Sequence, residues 1–368
     1  MPTEIHELLA NRADPLPSTR LLPMLVTQHP VFRRFWYPVM PLSHLRQTQG
    51  QPGNPQPFQL LGQRIVLWLT PEGTVAAVED RCCHRTAQLS RGCVVAGCIQ
   101  CPYHGWQFDA TGACVKVPQL QPHERIPASY KVKAFQTQIR YDYAWVCLEP
   151  DPLLPIPDFP EAEDPRYRVI HDFYEAWQCS AFSFMENVFD NAHFSIVHTR
   201  TFGDTSNPIP AISEIRETDY GFHTYAEIPA VNNDLQKSNL GMKEDRTLRC
   251  TSGDWFMPFL HRGKIVYPNG LEAILFVAMT PIDDYTSQMA HFWIRSDREE
   301  DAPAANIIAF NRQVMDEDRV ILETIPADRP LAVESEQHML SDKPSILMRR
   351  KLMALLRESE RGSLVSKG

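Results

Sequence analysis

The chain has 368 residues, 43% hydrophobic and 22% charged, with a formal net charge of −9. That is apolar material for roughly two domains of about 100–200 residues each. The acidic balance, without a basic stripe, excludes a nucleic-acid surface, and nine cysteines spread over this length do not make a disulfide scaffold. The segment 271–282 is broken by Glu272, Thr280 and Pro281 and is too short to span a bilayer. The opening MPTEIHELLANRADP has early acids and no apolar stretch of a signal peptide, so a cytoplasmic location with no membrane partner is expected.

Residues 1–34 read as an extension, with one short helix near Glu4–Asn11 and a proline-rich approach. Folded structure is expected from Phe35-Trp36-Tyr37-Pro38-Val39. Residues 35–150 carry strand and turn signals: 58–61 and 63–69 flank Gly62, 75–78 follows Pro71-Glu72-Gly73, 106–109 and 113–117 flank a Thr-Gly turn, and 143–148 closes the set. Short strands at this density predict a small all-β domain, which suits a metal cluster held between loops. Five prolines in residues 150–160 forbid a helix or a central strand, so 151–160 is the linker. Beyond it, residues 161–368 mix helices (181–192, 304–325, 346–357) with strands (221–228, 264–267, 273–280, 287–294). The expected fold class is α+β: an all-β domain, then an α+β domain whose central antiparallel sheet is flanked by helices.

Two short clusters carry the first chemistry, Arg81-Cys82-Cys83-His84 and Cys101-Pro102-Tyr103-His104-Gly105-Trp106. The pattern is Cys-x-His, sixteen residues, then Cys-x-x-His. Each cluster offers one thiolate and one imidazole. That suits a [2Fe-2S] cluster with Cys82 and Cys101 on one iron and His84 and His104 on the other, the Rieske arrangement. Zinc bound by the same four residues is the competing reading. Cys83, Cys93, Cys98, Cys114, Cys147, Cys179 and Cys250 read as small buried hydrophobes.

A second constellation lies in Glu186-Asn-Val-Phe-Asp190-Asn-Ala-His193-Phe-Ser-Ile-Val-His198. Two imidazoles and a carboxylate form the facial triad of non-haem Fe(II) sites, which leaves positions open for O2. His193 and His198 are five residues apart, about 140° around a regular helix, so both reach one metal only if the helix distorts or ends first. The helix at 304–325 offers the acid. Its apolar stripe runs Ile307, Phe310, Val314, then Ile321 or Leu322, then Ile325, and position 318 on that stripe is Asp318. Asp316 and Glu317 lie about 200° and 100° away. An aspartate in an apolar stripe is costly unless paired or metal-bound, so Asp318 is the candidate.

With these motifs in hand, residues 36–368 resemble the oxygenase component of a Rieske non-haem iron oxygenase. The match rests on Cys-x-His…Cys-Pro-Tyr-His-Gly-Trp at 82–106, Glu-x3-Asp-x2-His-x4-His at 186–198, and Asp-Glu-Asp-Arg-Val-Ile-Leu-Glu at 316–323. The chain is closer to the shorter single-subunit type, such as vanillate and dicamba O-demethylases and cyanobacterial toxin hydroxylases, than to ring-dihydroxylating α subunits. The resemblance implies a [2Fe-2S] cluster, a mononuclear non-haem Fe(II) on His193, His198 and Asp318, and O2 as co-substrate. It implies electrons from a ferredoxin or a ferredoxin reductase, ultimately NAD(P)H. It also implies a homotrimer in which the catalytic acid Asp190 bridges His104 of one chain to His193 of the next. The product would be a hydroxylated or demethylated small aromatic or polycyclic molecule. The chain departs from the family's Cys-Pro-His-Arg-Gly-Ala-Pro-Leu: Cys83 stands for a proline, Thr86 for a glycine and Gln88 for a proline.

The aromatic-rich sheet offers Trp255, Phe256, Phe276 and Phe292 as pocket candidates. Glu186 reads as a capping or supporting acid. Residues 237–246 read as a solvated loop or a lid. Arg349-Arg350-Lys351 reads as a solvated helix face or a dock for an acidic ferredoxin. The other nine histidines read as structural or exposed. The competing functions are a Rieske electron carrier or redox sensor without oxygenase activity, and a zinc-binding interaction protein. Tyr103 beside the second histidine replaces the extra cysteine of cytochrome-type Rieske proteins, which speaks against that class.

Overall fold

Packed structure begins earlier than Phe35. The computed structural model describes residues 23–46, 54–121 and 123–365. Met24, Val31 and Phe32 are buried in the main core, and Phe32 stacks on Phe259 at 5.8 Å between ring centroids. The core thus takes in residues ahead of the expected start at Phe35. These apolar residues lie on and beside two 3-10 turns, too short for periodicity to reveal. The helix expected near Glu4–Asn11 lies outside the described residues.

Along the first half come β1 (Tyr37–Pro41), α1 (Leu42–Leu45), β2 (Gln56–Leu60), β3 (Gln63–Leu69), β4 (Val75–Glu79), β5 (Cys93–Val95), β6 (Cys98–Gln100), β7 (Gln107–Phe108), β8 (Cys114–Lys116), β9 (Gln136–Arg140) and β10 (Tyr143–Cys147). They form three small sheets, ordered β2-β3-β4, β1-β10-β9 and β5-β6-β7-β8. Leu61-Gly62, Ala96-Gly97 and Tyr141-Asp142 all have positive φ. Such two-residue turns match the twist of the strands they join. The Leu61-Gly62 turn also docks on the second half, its amides donating to Pro281 and Ile282 carbonyls at 2.8 Å each. Leu89, Ile99, Trp106 and Phe108 make a separate small core beneath the two cysteine loops.

The proline-rich segment is packed rather than loose. Ile156 and Phe159 are buried, and the Tyr141 hydroxyl donates to the Pro157 carbonyl (2.8 Å) while accepting from the Phe159 amide (2.7 Å). The second half runs β11 (Arg168–Trp177), α2 (Ala181–Val188), α3 (Phe194–Val197), β12 (Glu214–Thr218), β13 (Gly221–Val231), α4 (Asp234–Leu240), β14 (Arg246–Phe256), β15 (Leu260–Val266), β16 (Glu272–Pro281), β17 (Ser287–Arg295), α5 (Ala304–Leu322) and α6 (Lys343–Val365). Its seven strands form one antiparallel sheet, β11-β17-β16-β15-β14-β13-β12. The fold is α+β, with a β-rich first half and helices on this sheet. Alternation along β16 and β17 gives it two faces. Phe276, Ala278, Phe292 and Ile294 pack on Tyr143 and Trp145 of β10. Leu275, Val277, His291 and Trp293 face the helical side, where a cavity opens.

Two surface readings are corrected. Residues 237–246 are a solvated loop only from Gly241 on: α4 covers their first part. The Asn233 side chain caps it by accepting from the Gln236 amide (2.8 Å), Gly241 ends it at φ 62°, and Gln236, Asn239 and Leu240 are buried. Arg349 is neither solvated nor a docking cation. It is 1% exposed, with Nε on Glu186 at 2.6 Å and Nη2 on Glu336 at 2.6 Å. Arg329 joins the same pair of acids. Glu186 is therefore the buried counter-charge that fastens α6 to α2. Its helix turns Arg349 inward because a buried carboxylate needs a cation.

Candidate functional site

The two cysteine loops meet above the small core. In the first, the Cys82 amide donates to the Ala87 carbonyl (2.8 Å) and the Thr86 amide to the Cys82 carbonyl (3.0 Å). In the second, the Cys101 amide donates to the Trp106 carbonyl (2.8 Å) and the Gly105 amide to the Cys101 carbonyl (3.1 Å). Each turn pushes a buried sulfur and an imidazole toward the other loop. The His84 and His104 rings lie 4.6 Å apart, and His84 stacks flat on Trp106 at 4.5 Å. Position 86, where the related motif has glycine, has φ 58°, so Thr86 occupies a backbone conformation that favours glycine. Gln88 has φ −67°, the angle a proline would impose.

These residues fit a [2Fe-2S] cluster. The Nδ1 atoms of His84 and His104 are both buried without a hydrogen-bond partner, which is rare unless the nitrogen is a ligand. Burial, with the Cys101 sulfur alongside, pushes the Cys82 thiol up to about 12. A buried thiol resists ionisation until a cation arrives. Imidazoles in place of two thiolates raise the potential of such a cluster.

The second constellation meets the demand its spacing makes. α2 stops at Val188, and the four-residue α3 is flanked by His193 and His198. The break turns both rings to one point: His193 Nε2 and His198 Nε2 are 3.2 Å apart, and they lie 3.5 and 3.4 Å from Asp318 Oδ1. The three ligand atoms fall within 4.8 Å of one another and could hold a metal ion. Burial pushes the Asp318 carboxyl up, against the pull of His198 and His193. Burial likewise pushes the His198 imidazole down, against Asp318. Both groups are driven toward neutrality, as expected of a site built around a cation.

Carboxylates hold the other side of each ring. Asp190 Oδ2 faces His193 Nδ1 at 3.3 Å, while its Oδ1 accepts from the Ala192 amide at 2.7 Å. Glu317 Oε2 faces His198 Nδ1 at 3.0 Å and accepts from the Thr201 hydroxyl at 2.7 Å. Its Oε1 accepts from the Arg200 amide at 3.2 Å. A carboxylate on Nδ1 keeps the proton there and leaves Nε2 free for a metal. Glu317 was missed by the helical phase, which sets it off the apolar stripe. Its side chain is largely covered, 9% exposed, because residues 198–201 fold over that flank of α5. Its one sequence signal is an acid next to the candidate ligand.

A cavity of about 240 Å³ opens beside the triad, between the sheet and helices α2, α4 and α5. Trp255, Phe276 and Phe292 do not line it, and neither does Phe256. Phe276 and Phe292 stack on each other at 4.4 Å on the opposite sheet face, and Trp255 packs in the main core against Phe222. A one-residue shift along a strand exchanges faces. Phe276 and Phe292 took the dry one, whereas Trp255 shares the face of His261 and His291 but lies in the packed core beyond the cavity. The cavity wall instead includes His261, His291 and Trp293, so these two histidines are more than scattered structural residues.

Residues 35–136 match the Rieske [2Fe-2S] domain, and residues 177–358 match the vanillate O-demethylase oxygenase C-terminal domain. Methylxanthine N1-demethylase NdmA of Pseudomonas putida is 31% identical over 90% of this chain and 91% of its own length. Methylxanthine N3-demethylase NdmB of Pseudomonas putida is 29% identical over 86% of this chain and 88% of its own. The solved structure of Pseudomonas putida CBB5 NdmA with caffeine has a TM-score of 0.79 to this chain, at 30% identity, covering 91% of this chain and 94% of that one. A likeness that runs through both halves in the same order leaves no room for a lone carrier domain or a zinc-binding module. The chain belongs to the Rieske non-haem iron oxygenases and is an oxidoreductase.

Proposed function

We propose that this chain is the oxygenase component of a monooxygenase that hydroxylates, or oxidatively demethylates, a small aromatic or heterocyclic molecule. O2 is the co-substrate, and electrons come from a ferredoxin or an NAD(P)H-linked reductase. The observation that carries this reading is the convergence of His193 Nε2, His198 Nε2 and Asp318 Oδ1 on the wall of a cavity. In this reading residues 35–150 receive electrons, 151–160 link the domains, and 161–368 hold the substrate. Cys82, His84, Cys101 and His104 would hold the [2Fe-2S] cluster, and His193, His198 and Asp318 a mononuclear Fe(II). When bound, these groups supply one-electron transfer and activation of O2.

The chain's own residues do the positioning. Asp190 and Glu317 hold the two imidazoles in one tautomer. Asn187 Nδ2 donates to Asp318 Oδ1 at 3.3 Å and orients that carboxylate. Phe184, Phe189, Phe194 and Phe202 line the cavity and limit water around the triad. The Asp190 side chain keeps 34% exposure, which supports its reaching a second imidazole. In a homotrimer it would stand between His104 of one chain and His193 of the next. A cytoplasmic setting is part of the proposal, and the nine free cysteines support a reducing compartment. The relatives' names make methylated heterocycles the first substrates to try, and the vanillate O-demethylase match adds methoxyarenes. The test is product and formaldehyde formation with a reductase, NADH and O2. Product coupled to O2 uptake is expected; electron uptake with no conversion across both compound classes overturns the reading.

A further inference from the structure

Arg249 on β14 lines the cavity next to the triad. It is 6% exposed. Its only hydrogen bond among the described residues runs from Nη2 to the Asn232 side-chain oxygen at 3.2 Å, and its Nε has no partner. The Phe202 and Tyr267 rings flank the guanidinium at 5.3 and 5.6 Å. Phe202 in turn stacks on the His198 ring at 4.6 Å. A cation is thus held one aromatic ring away from the triad.

Among the described residues, this bareness is peculiar to the position. The other deeply buried arginines have carboxylates: Arg295 has Asp297, and Arg349 has Glu186 and Glu336. Burial pulls the Arg249 guanidinium down from its ordinary range. A buried cation without a counter-charge is costly, and aromatic faces return only part of that cost. The same cavity holds further unmet polar atoms: Asn239 Oδ1, His291 Nε2 and Trp293 Nε1. His291 Nδ1 bonds the Asp172 carboxylate, so its Nε2 presents a lone pair. This is a wall built to be completed by a polar ligand.

We propose that Arg249 anchors a carboxylate on the substrate, so that the molecule oxidised is a small planar aromatic acid held between Arg249 and the His193–His198–Asp318 triad. The planar fork of an arginine suits a carboxylate, and the flanking rings suit an aromatic body. The inference rests on reading the cavity as the substrate chamber of an oxygenase.

The test is calorimetric titration of the anaerobic holoenzyme with matched pairs: 3-methoxybenzoate against 3-methoxybenzamide, and 2-naphthoate against 2-naphthamide. In at least one pair the acid binds about 10- to 100-fold more tightly, the value of one charge-assisted buried bond. Arg249→Met reduces that preference to about 2-fold or less. If that variant does not fold, Arg249→Lys decides, keeping the preference for acids at a reduced level. Equal binding of acid and amide in both pairs, no binding by either acid, or an unchanged preference in a folded Arg249 variant overturns the proposal. Formaldehyde release from the methoxy pair reads the oxygenase assignment separately. Acid preference with neither formaldehyde nor a hydroxylated product from any methylated heterocycle or methoxyarene keeps the anchor and sinks the assignment. Release from the amide as readily as from the acid sinks the anchor and keeps the assignment.

Discussion

Glu317→Ala isolates what a carboxylate outside the metal triad does. The substitution removes three contacts: His198 Nδ1 at 3.0 Å, the Thr201 hydroxyl at 2.7 Å and the Arg200 amide at 3.2 Å. The last two have alternatives, since Thr201 already reaches the His198 carbonyl at 3.3 Å and Arg200 is exposed. The cost therefore concentrates on His198, whose side chain is 2% exposed and loses the acceptor that fixes its tautomer. A buried hydrogen bond to a charged group is worth about 1.5–3 kcal/mol. At about 1.4 kcal/mol per decade, that is roughly 10- to 100-fold in affinity for the mononuclear metal. Glu317→Gln keeps one acceptor oxygen and falls between wild type and alanine. Anaerobic Fe(II) titration of protein stripped of its mononuclear metal is the assay, with the cluster absorbance as internal reference. Wild-type Fe(II) affinity in a folded Glu317→Ala protein, alongside weak binding in His198→Ala, would refute the tautomer argument.

Asp190→Asn keeps the shape of the side chain but not its charge; it should leave both metal centres loaded and slow turnover by about 100-fold, measured as product per NADH-derived electron. Normal turnover would show that Asp190 does not couple the centres. Thr86→Gly relieves a left-handed residue. The strain of about 1–2 kcal/mol is offset by about 0.4–1 kcal/mol of unfolded-state freedom, for a net gain of up to about 1.6 kcal/mol in denaturant melts of the cluster-loaded protein. His261 is enclosed, and burial lowers its pKa from 6.5 to about 3. The unfolded chain takes up that proton below 6.5 and the folded chain does not until about 3, so stability falls as pH falls across this window. The loss is about 2 kcal/mol between pH 7 and pH 5. Wild type minus His261→Gln should show that slope in denaturation at the two pH values; parallel behaviour would mean the histidine is solvated in the fold.

Parts of the site are legible because their geometry is local. Cys-x-His and Cys-x-x-His each close within one tight turn, so spacing alone brings ligand pairs together. Asp318 is legible for a different reason: burying a carboxylate in the apolar stripe of α5 demands a partner, and helical phase singles it out. The convergence of His193 and His198 could be stated as a requirement but not built, because the break at Val188 depends on Asp190 turning onto the Ala192 amide. The part Glu317 plays does not show in the sequence, since the residues it bonds lie more than a hundred positions earlier. Phe276 and Phe292 lie on the face away from the pocket, and Trp255 lies on the right face but outside the pocket. Alternation gives two faces to β16 and β17 but not which one turns to β10, and the polar His291, Trp293 and Arg295 mark the cavity side. β11 and β14 were overlooked because charges interrupt them, and those charges are answered only across the fold, as Arg168 is by Asp297 at 2.9 Å.

The central claim is two metal centres in one chain, and metal analysis of anaerobically purified wild type and Asp318→Ala tests it most directly. The account predicts about three irons and about two acid-labile sulfides per wild-type chain, with a reduced-cluster resonance of the mixed Cys/His type. Asp318→Ala should lose about one iron and keep the sulfide and the resonance. A colourless protein holding zinc, or an Asp318→Ala protein that keeps all its iron, would contradict it.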